Sequence, residues 1–239
     1  MTRAVLFDLD DTLYPYAPCN EAGKRAAWAA AVDRGYDLDR ESFDEAYRAA
    51  RREVKLEIPT RAASHERYLY CKRLVERRAG EPRPADALAL GEAFWAAYLD
   101  EMTLFEGVAD VLAALAAAGV AVALVTDLTA RIQLTKVDRL GIAGHLDELV
   151  TSEETGREKP SALMFALPLA RLDVRPSEAV AVGDSVAADV RGGNAAGLTT
   201  VLFDHEGTDV APDGALPGDR RPDHRIGAFD ELLDVVADG

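Results

Sequence analysis

Cysteine, histidine and lysine are scarce in this chain, and each shortage excludes something. Cys19 and Cys71 are the two cysteines, too few for a disulfide framework. Two cysteines and four scattered histidines do not make the ligand sets that zinc sites use. No apolar run is long enough to span a bilayer as a helix. No signal-peptide pattern follows Met1-Thr2-Arg3, so the expectation is a soluble, cytoplasmic protein. Only five of the 27 basic residues are Lys (24, 55, 72, 136 and 159); the rest are Arg. Acidic residues number 42, the formal net charge is −15 and the pI is about 4.7. Such a surface repels nucleic acid and anionic membrane, which excludes both as expected partners. Many acids, few Lys and abundant Ala suit a GC-rich genome or a salt-loving host alike. With 239 residues and 49% hydrophobic content, the chain can bury one good core, or one core plus a smaller lobe.

The chemistry-bearing stretch comes first. Ala4-Val5-Leu6-Phe7 reads as a strand buried on both faces, and Asp8-Leu9-Asp10-Asp11-Thr12-Leu13 follows it. Three carboxylates in four residues repel one another unless a cation joins them. A divalent ion such as Mg²⁺, which takes oxygen ligands, is one such partner. A solvated Asp-rich turn with a helix cap is the plain alternative.

After the turn-rich Tyr14–Pro18 linker, no strand pattern appears from Asn20 to about Asp100. Helices are predicted near 20–34, 40–56, 64–79 and 84–101. Asn20, Asp39 and Ser64 are the candidate N-caps, and Pro84 is the candidate first-turn residue. Aromatics recur at helical spacing there, and such stripes pack cores. From Phe105 the chain alternates. Helices are predicted near 107–118, 128–140, 161–171 and 186–196. Strands are predicted at 120–126, 148–151, 179–182 and 199–203. Alternation of this kind builds βαβ units and a parallel sheet covered by helices. Residues 204–222, rich in Gly, Pro and Asp, read as an irregular loop, and a last helix is expected near 229–237. No internal repeat is present.

Four signals fall at strand ends or turns: Asp8 with Asp10, then Thr126, then Lys159-Pro160, then Gly183-Asp184-Ser185 with Asp189. Taken singly, each has a plain reading. Thr126 and Ser185 can cap helices, Lys159 can be a solvated surface lysine, and Gly183-Asp184 can be an ordinary turn. Taken together, they bring carboxylates, a hydroxyl and an ammonium to the carboxyl edge of one sheet. Open α/β sheets bind their ligands at that edge.

Nearly the whole chain resembles the haloacid dehalogenase-like hydrolase superfamily, in its phosphatase branch with a helical cap inserted between the first and second motifs. The resemblance implies a Rossmann-like α/β core with strand order 3-2-1-4-5, formed by residues 1–14 and 103–239. The all-helical cap would be residues 15–102. It implies a Mg²⁺-dependent phosphatase of a small phosphorylated metabolite. Asp8 would be the nucleophile that becomes an aspartyl-phosphate, and Asp10 the general acid and base. Thr126 and Lys159 would hold the phosphoryl group, with Lys159 also keeping Asp8 ionised. Asp8, the Asp10 carbonyl and Asp184 would hold the metal, and Asp189 would support that shell. The core motifs grip only the phosphoryl group. Arg61, His65 and Arg67 in the insert are therefore the candidate readers of the leaving group, or else a solvated charged turn.

One position departs from the family pattern. Asp127 follows Thr126 where Asn is usual. It is either an equivalent cap for the next helix or an added charge that weakens phosphate binding. In the second case Arg131, one helical turn on, is spaced to offset it. Asp10 itself favours phosphate transfer over dehalogenation, because haloacid dehalogenases lack that second Asp. A phosphomutase, a regulatory phospho-receiver and a non-catalytic phosphoryl-binding protein are the competing functions. The oligomer is a monomer or a homodimer.

Overall fold

The computed structural model describes residues 1–205 and 218–239. The chain divides into two compact units: Met1–Pro15 with Thr103–Gly239, and Tyr16–Met102.

In chain order the elements are β1 (Ala4–Phe7), α1 (Tyr16–Asp33), α2 (Arg40–Glu57), α3 (Arg67–Ala79), α4 (Pro84–Asp100) and α5 (Val108–Ala117). Next come β2 (Ala121–Thr126), α6 (Ala130–Leu140), β3 (Glu148–Thr151), α7 (Ser152–Thr155) and α8 (Ala162–Leu172). The chain closes with β4 (Ala179–Gly183), α9 (Arg191–Ala196), β5 (Thr199–Phe203), β6 (His224–Ile226) and α10 (Leu232–Asp238).

The first unit is α/β. Its sheet is parallel, in the order β3-β2-β1-β4-β5-β6. The expected order is present and is extended by β6, whose three residues are too few for a periodic signal. β1 is central, pairing with β2 and β4, and all four of its side chains are buried. Strand alternation sends Ala4 and Leu6 to one face, where they pack with Met164, Phe165 and Leu169 of α8. Phe7 faces the other way and stacks on Phe229, with ring centroids 5.8 Å apart. Both faces are therefore covered, as a sheet of purely apolar strands requires.

Several boundaries differ from expectation, each for a local reason. Residues 128–140 do not form one helix. Leu128 has φ +132°, and α6 starts two residues later, with Thr129 at its N-cap position and the Ala130 N–H held by Glu153 Oε2 at 2.8 Å. Residues 186–196 begin as a wide π-helical turn, Val186–Val190, before α9. The short helix α7 was not anticipated; Thr151 caps it by accepting the Glu154 N–H. Residues 206–217, within the expected irregular loop, lie outside the described residues; Gly218–Arg220 next to them form a 3₁₀ turn.

The second unit is all helical. α1 starts at Tyr16 rather than Asn20, because Pro18 falls in the first turn, where a missing N–H costs no intrahelical bond. α2 is capped by Asp39, which accepts the Ser42 N–H at 2.7 Å. The helix expected from Ser64 is a 3₁₀ turn, Ala62–His65, followed by α3. Glu66 rather than Ser64 caps α3, and the Ser64 carbonyl accepts the Tyr70 hydroxyl. Gly23 lets α1 approach α4: a Cβ there would lie 2.9 Å from the Phe94 ring. Phe43, Tyr47, Tyr70, Phe94, Trp95 and Tyr98 form a continuous stack with ring centroids 5.2–6.1 Å apart, an arrangement that stabilises beyond simple burial.

Candidate active site

Asp8 is the first residue after β1, held by its N–H to the Val182 carbonyl at 2.9 Å. Its side chain is buried. Lys159 Nζ lies 2.5 Å from Asp8 Oδ1 and 2.6 Å from Asp189 Oδ1, with its side chain 3% exposed. Asp184 follows β4. The Thr12 hydroxyl is 3.2 Å from Asp8 Oδ2 and 3.3 Å from Asp184 Oδ1, and it accepts the Asp184 N–H at 3.1 Å. Asp189 comes from the π-helical turn, and its Oδ2 accepts the Ser185 N–H at 3.1 Å. A Cβ at Gly183 would overlap Asp189 Cγ, so glycine is what lets this carboxylate reach Lys159.

One ammonium thus faces several buried acids. Burial pushes the Asp8 carboxyl up, Lys159 opposes this, and Asp189, Asp184 and Asp10 add to the rise. Asp184 is pushed up to about 7 by burial, then by Asp189 and Asp11. Carboxylate oxygens of Asp8, Asp184 and Asp189 all lie within 4.8 Å of one another. Such a cluster lacks positive charge and offers only oxygen donors. Both features fit a hard divalent cation, so this acidic triad can bind a metal.

Asp10 is treated differently. Lys136 Nζ is 2.5 Å from its Oδ1, Gln133 Nε2 is 3.1 Å from its Oδ2, and the Tyr14 hydroxyl donates to Oδ1. Burial disfavours the charge, but Lys136 and these bonds hold the carboxyl well below the usual carboxylate range. Lys136 and Gln133 are themselves buried. Gln133 Nε2 also reaches Thr126 Oγ1 at 2.5 Å and the Asp127 carbonyl at 2.9 Å. It links the end of β2 to the turn after β1. Sequence reasoning missed Thr12, Tyr14, Gln133 and Lys136. The signal for two of them was available: Gln133 and Lys136 share one face of α6 with the buried Ile132 and Val137.

Asp127 is not a helix cap. Its Oδ1 accepts the Lys159 backbone N–H at 3.1 Å, and the caps of α6 lie beyond it. Leu128 turns the chain away, its N–H held by Ser152 Oγ at 2.9 Å. A non-glycine residue at such a φ is strained and persists where its surroundings fix it. Burial pushes Asp127 up to about 6 against the pull of Lys159, with Glu158 and Asp189 adding to the rise. Arg131 is exposed, and no ion pair joins it to Asp127. Asp8, Asp10, Thr126, Asp127, Lys159, Asp184 and Asp189 are therefore gathered at the carboxyl ends of β1, β2 and β4. In the helical unit, Arg61 is exposed and His65 half-buried, its Nδ1 3.5 Å from Lys55 Nζ. Arg67 is buried.

The sheet order, with an acidic turn after the central strand, defines a class. The sequence pattern of the haloacid dehalogenase-like hydrolases matches residues 2–197. The chain belongs to that family, and it is a phosphatase acting on a small phosphorylated metabolite. It is 55% identical to the ribulose-1,5-bisphosphate 5-phosphatase of Halopiger xanaduensis, covering 99% of this chain and 100% of the relative. It is 36% identical to a glyceraldehyde 3-phosphate phosphatase of Methanopyrus kandleri, over 99% of this chain and 97% of that one. Among solved structures, a 2-haloacid dehalogenase from Pseudomonas syringae superposes with TM-score 0.78 at 25% identity, covering 100% of this chain and 99% of that one. No helix among the described residues is long and apolar enough to cross a membrane.

Proposed function

We propose that the enzyme removes the 5-phosphoryl group of ribulose 1,5-bisphosphate in a Mg²⁺-dependent reaction. Full-length likeness to the Halopiger enzyme supports the substrate. The pairing of Asp8 with Lys159, and the placement of Asp10 two residues on, support the chemistry. The unit formed by Met1–Pro15 and Thr103–Gly239 is the catalytic core. Tyr16–Met102 is the cap that selects the leaving group, with Arg61, His65 and Arg67 as its candidate readers.

Asp8 attacks phosphorus; an Asp8 oxygen–phosphorus bond forms as the bond to the sugar oxygen breaks. Asp10, after taking up a proton from solvent when the phosphate dianion binds beside it, delivers that proton to the leaving oxygen. It then takes one from the water that attacks the aspartyl-phosphate, which releases phosphate and regenerates the Asp8 carboxylate. Lys136, Gln133 and Tyr14 favour the ionised form of Asp10, the form that the second step needs. Thr126 and Lys159 hold the phosphoryl oxygens. Lys159 also restrains Asp8 and Asp189, as the 2.5 and 2.6 Å contacts imply. Asp8, Asp184 and the Asp10 carbonyl would hold Mg²⁺, and Asp189 would brace that group. Bound there, the ion would reduce repulsion between a carboxylate nucleophile and a phosphate dianion.

The test is steady-state turnover of ribulose 1,5-bisphosphate, with glyceraldehyde 3-phosphate as competitor, in wild type and Asp8→Asn. Loss of a nucleophile lowers kcat by several orders of magnitude, here expected as at least about 10³-fold with the melting temperature retained. A folded Asp8→Asn protein that keeps a tenth of its turnover removes Asp8 from the nucleophile's role. Preference for glyceraldehyde 3-phosphate removes the bisphosphate as substrate.

A further inference from the structure

Asp11 lies between Asp10 and Thr12 in the turn after β1 and adopts φ +65°. Residues with a side chain enter that left-handed region at a cost, and hold it where their neighbours fix them. The two peptides that flank Asp11 both belong to the site. On one side, the Asp11 N–H donates to the Tyr14 carbonyl at 3.1 Å, and this same peptide carries the Asp10 carbonyl. On the other side, the Asp11 carbonyl leads into Thr12, whose hydroxyl is 3.2 Å from Asp8 Oδ2 and 3.3 Å from Asp184 Oδ1. A change in the Asp11 dihedrals therefore turns the Asp10 carbonyl and Thr12 relative to each other.

A residue 194 positions away holds this point: His205 Nε2 lies 2.9 Å from the Asp11 carbonyl oxygen. A carbonyl can only accept, so Nε2 is a protonated nitrogen of the imidazole. The ring is itself fixed. It comes two residues after β5 and packs against Phe105 and Phe203, with ring centroids 4.9 and 5.0 Å away. Those two phenylalanines meet edge to face at 5.4 Å. The Phe105 N–H donates to the Leu13 carbonyl at 2.9 Å, so the aromatic support is tied to the same turn. The His205 side chain is 11% exposed, and water competes poorly for its N–H. Packing alone would be served as well by phenylalanine; a donor aimed at a carbonyl would not.

We propose that His205 is a positioning residue for the acidic turn. Its Nε2–H holds the Asp11 carbonyl, keeps Asp11 left-handed, and so fixes the Asp10 carbonyl and Thr12 on either side. It acts through Asp11 and touches no reacting atom. The consequence for Mg²⁺ rests on the reading above, in which Asp8, the Asp10 carbonyl and Asp184 are the ligands.

Three substitutions test this. His205→Phe keeps a ring between Phe105 and Phe203 and loses the N–H. His205→Gln keeps an N–H donor at similar reach. Asp11→Gly enters the left-handed region freely. Mg²⁺ affinity is measured by calorimetry, and hydrogen exchange of the Asp11 amide is measured in metal-free protein. In His205→Phe, loss of one hydrogen bond should raise the Mg²⁺ Kd and speed Asp11 exchange, each by about tenfold. The melting temperature should be retained, and saturating Mg²⁺ should recover most of kcat. His205→Gln should restore both quantities. In the Asp11→Gly background the same change at 205 should have little effect on the Mg²⁺ Kd, because glycine needs no holding. Asp11→Gly also removes a carboxylate 3.9 Å from His205 Nε2, so the comparison is between the two backgrounds rather than with wild type. Unchanged affinity and exchange in a folded His205→Phe protein overturn the role. Losses of equal size in both backgrounds overturn it too, since His205 would then act by a route other than the Asp11 conformation. If His205→Phe does not fold, His205→Leu carries the same comparisons. A wild type that binds no Mg²⁺, or whose binding survives Asp184→Ala, overturns the metal reading; Asp11 exchange then decides the role of His205 alone.

Discussion

The two units each bury a cation, and they surround it in opposite ways. In the α/β unit, Lys159 touches the carboxylates of Asp8 and Asp189 and donates its backbone N–H to Asp127. In the helical unit, Arg67 touches a carbonyl, a hydroxyl and four rings, and no acid among the described residues. The first pocket has more negative charge than its one cation balances, and Asp184 rising to about 7 is the symptom. The second has more positive charge than anything in it balances. The first imbalance names the ligand that would relieve it, a metal. Composition alone hides this contrast, because a net charge of −15 suggests acid everywhere.

Removing the two cations should therefore have unequal effects. Lys159→Met strands buried Asp8 and Asp189 without a partner, an arrangement that typically costs about 3–5 kcal/mol. Turnover should fall by several orders of magnitude as well. Arg67→Met strands no charged partner. It removes a desolvated cation and keeps most of the packing volume among the rings. Its stability should stay within about 1 kcal/mol of wild type when no phosphate is present, since uncompensated buried charges contribute little to folding. Urea unfolding of both variants in phosphate-free buffer measures the contrast. An Arg67→Met protein as destabilised as Lys159→Met would mean that Arg67 is already balanced.

Proton linkage sharpens the same contrast. Asp184 and Asp127 are raised to about 7 and about 6 from an ordinary value near 3.8. In the pH range between, the folded chain holds more protons than the unfolded one. Unfolding free energy then falls as pH rises from about 4 to about 7. Asp10 has the opposite sign: its depressed pKa contributes stability that is lost only below the ordinary carboxylate range. It adds no slope in this window. Metal-free protein should therefore be less stable at pH 8 than at pH 5. Saturating Mg²⁺ should remove most of that difference by stabilising the ionised carboxylates. Equal slopes with and without Mg²⁺ would place the ion elsewhere.

How much of this was legible beforehand depended on whether the signal was periodic or singular. The parallel α/β alternation and the placing of Asp8, Thr126 and Asp184 at strand ends were legible in apolar runs of four to six residues, whereas the strand order was implied by the family resemblance. β6 did not follow, because His224-Arg225-Ile226 has no alternation to read. Lys136 was unreadable as a partner of Asp10, because 126 positions separate them. Its burial was visible only as a polar residue on the apolar face of α6. The cap reading of Asp127 does not hold, although a residue between a strand and a helix is usually the cap. Here the positive φ of Leu128 moves the N-cap position to Thr129. The charge imbalance at Arg67 was unreadable altogether, since it depends on Tyr16, Tyr47 and Trp95 meeting it from three different helices.

The smallest expected effect is at Asp127, where the chain departs from the family pattern. Asp127→Asn keeps an oxygen that can accept the Lys159 N–H, so the local bond at 3.1 Å survives. What is lost is a half-buried negative charge close to Lys159. Its rise from 3.8 to about 6 corresponds to a ceiling of about 3 kcal/mol. Solvent access reduces the expected gain in stability at pH 8 to about 1 kcal/mol. The gain should vanish at pH 4, where Asp127 is protonated in the folded chain and removing its charge changes little. On the phosphate side, one fewer negative charge leaves Lys159 more positive, and inhibition by inorganic phosphate should strengthen severalfold. The effect should stay below tenfold, which is about 1.4 kcal/mol, because Asp8, Asp184 and Asp189 still dominate the charge there. It should change little with salt, since a half-buried carboxylate is poorly screened. A gain above tenfold would show that Asp127, rather than the acidic triad, sets the phosphate affinity of the site. A gain in stability that persists at pH 4 would show that Asn improves packing and that charge was never the issue.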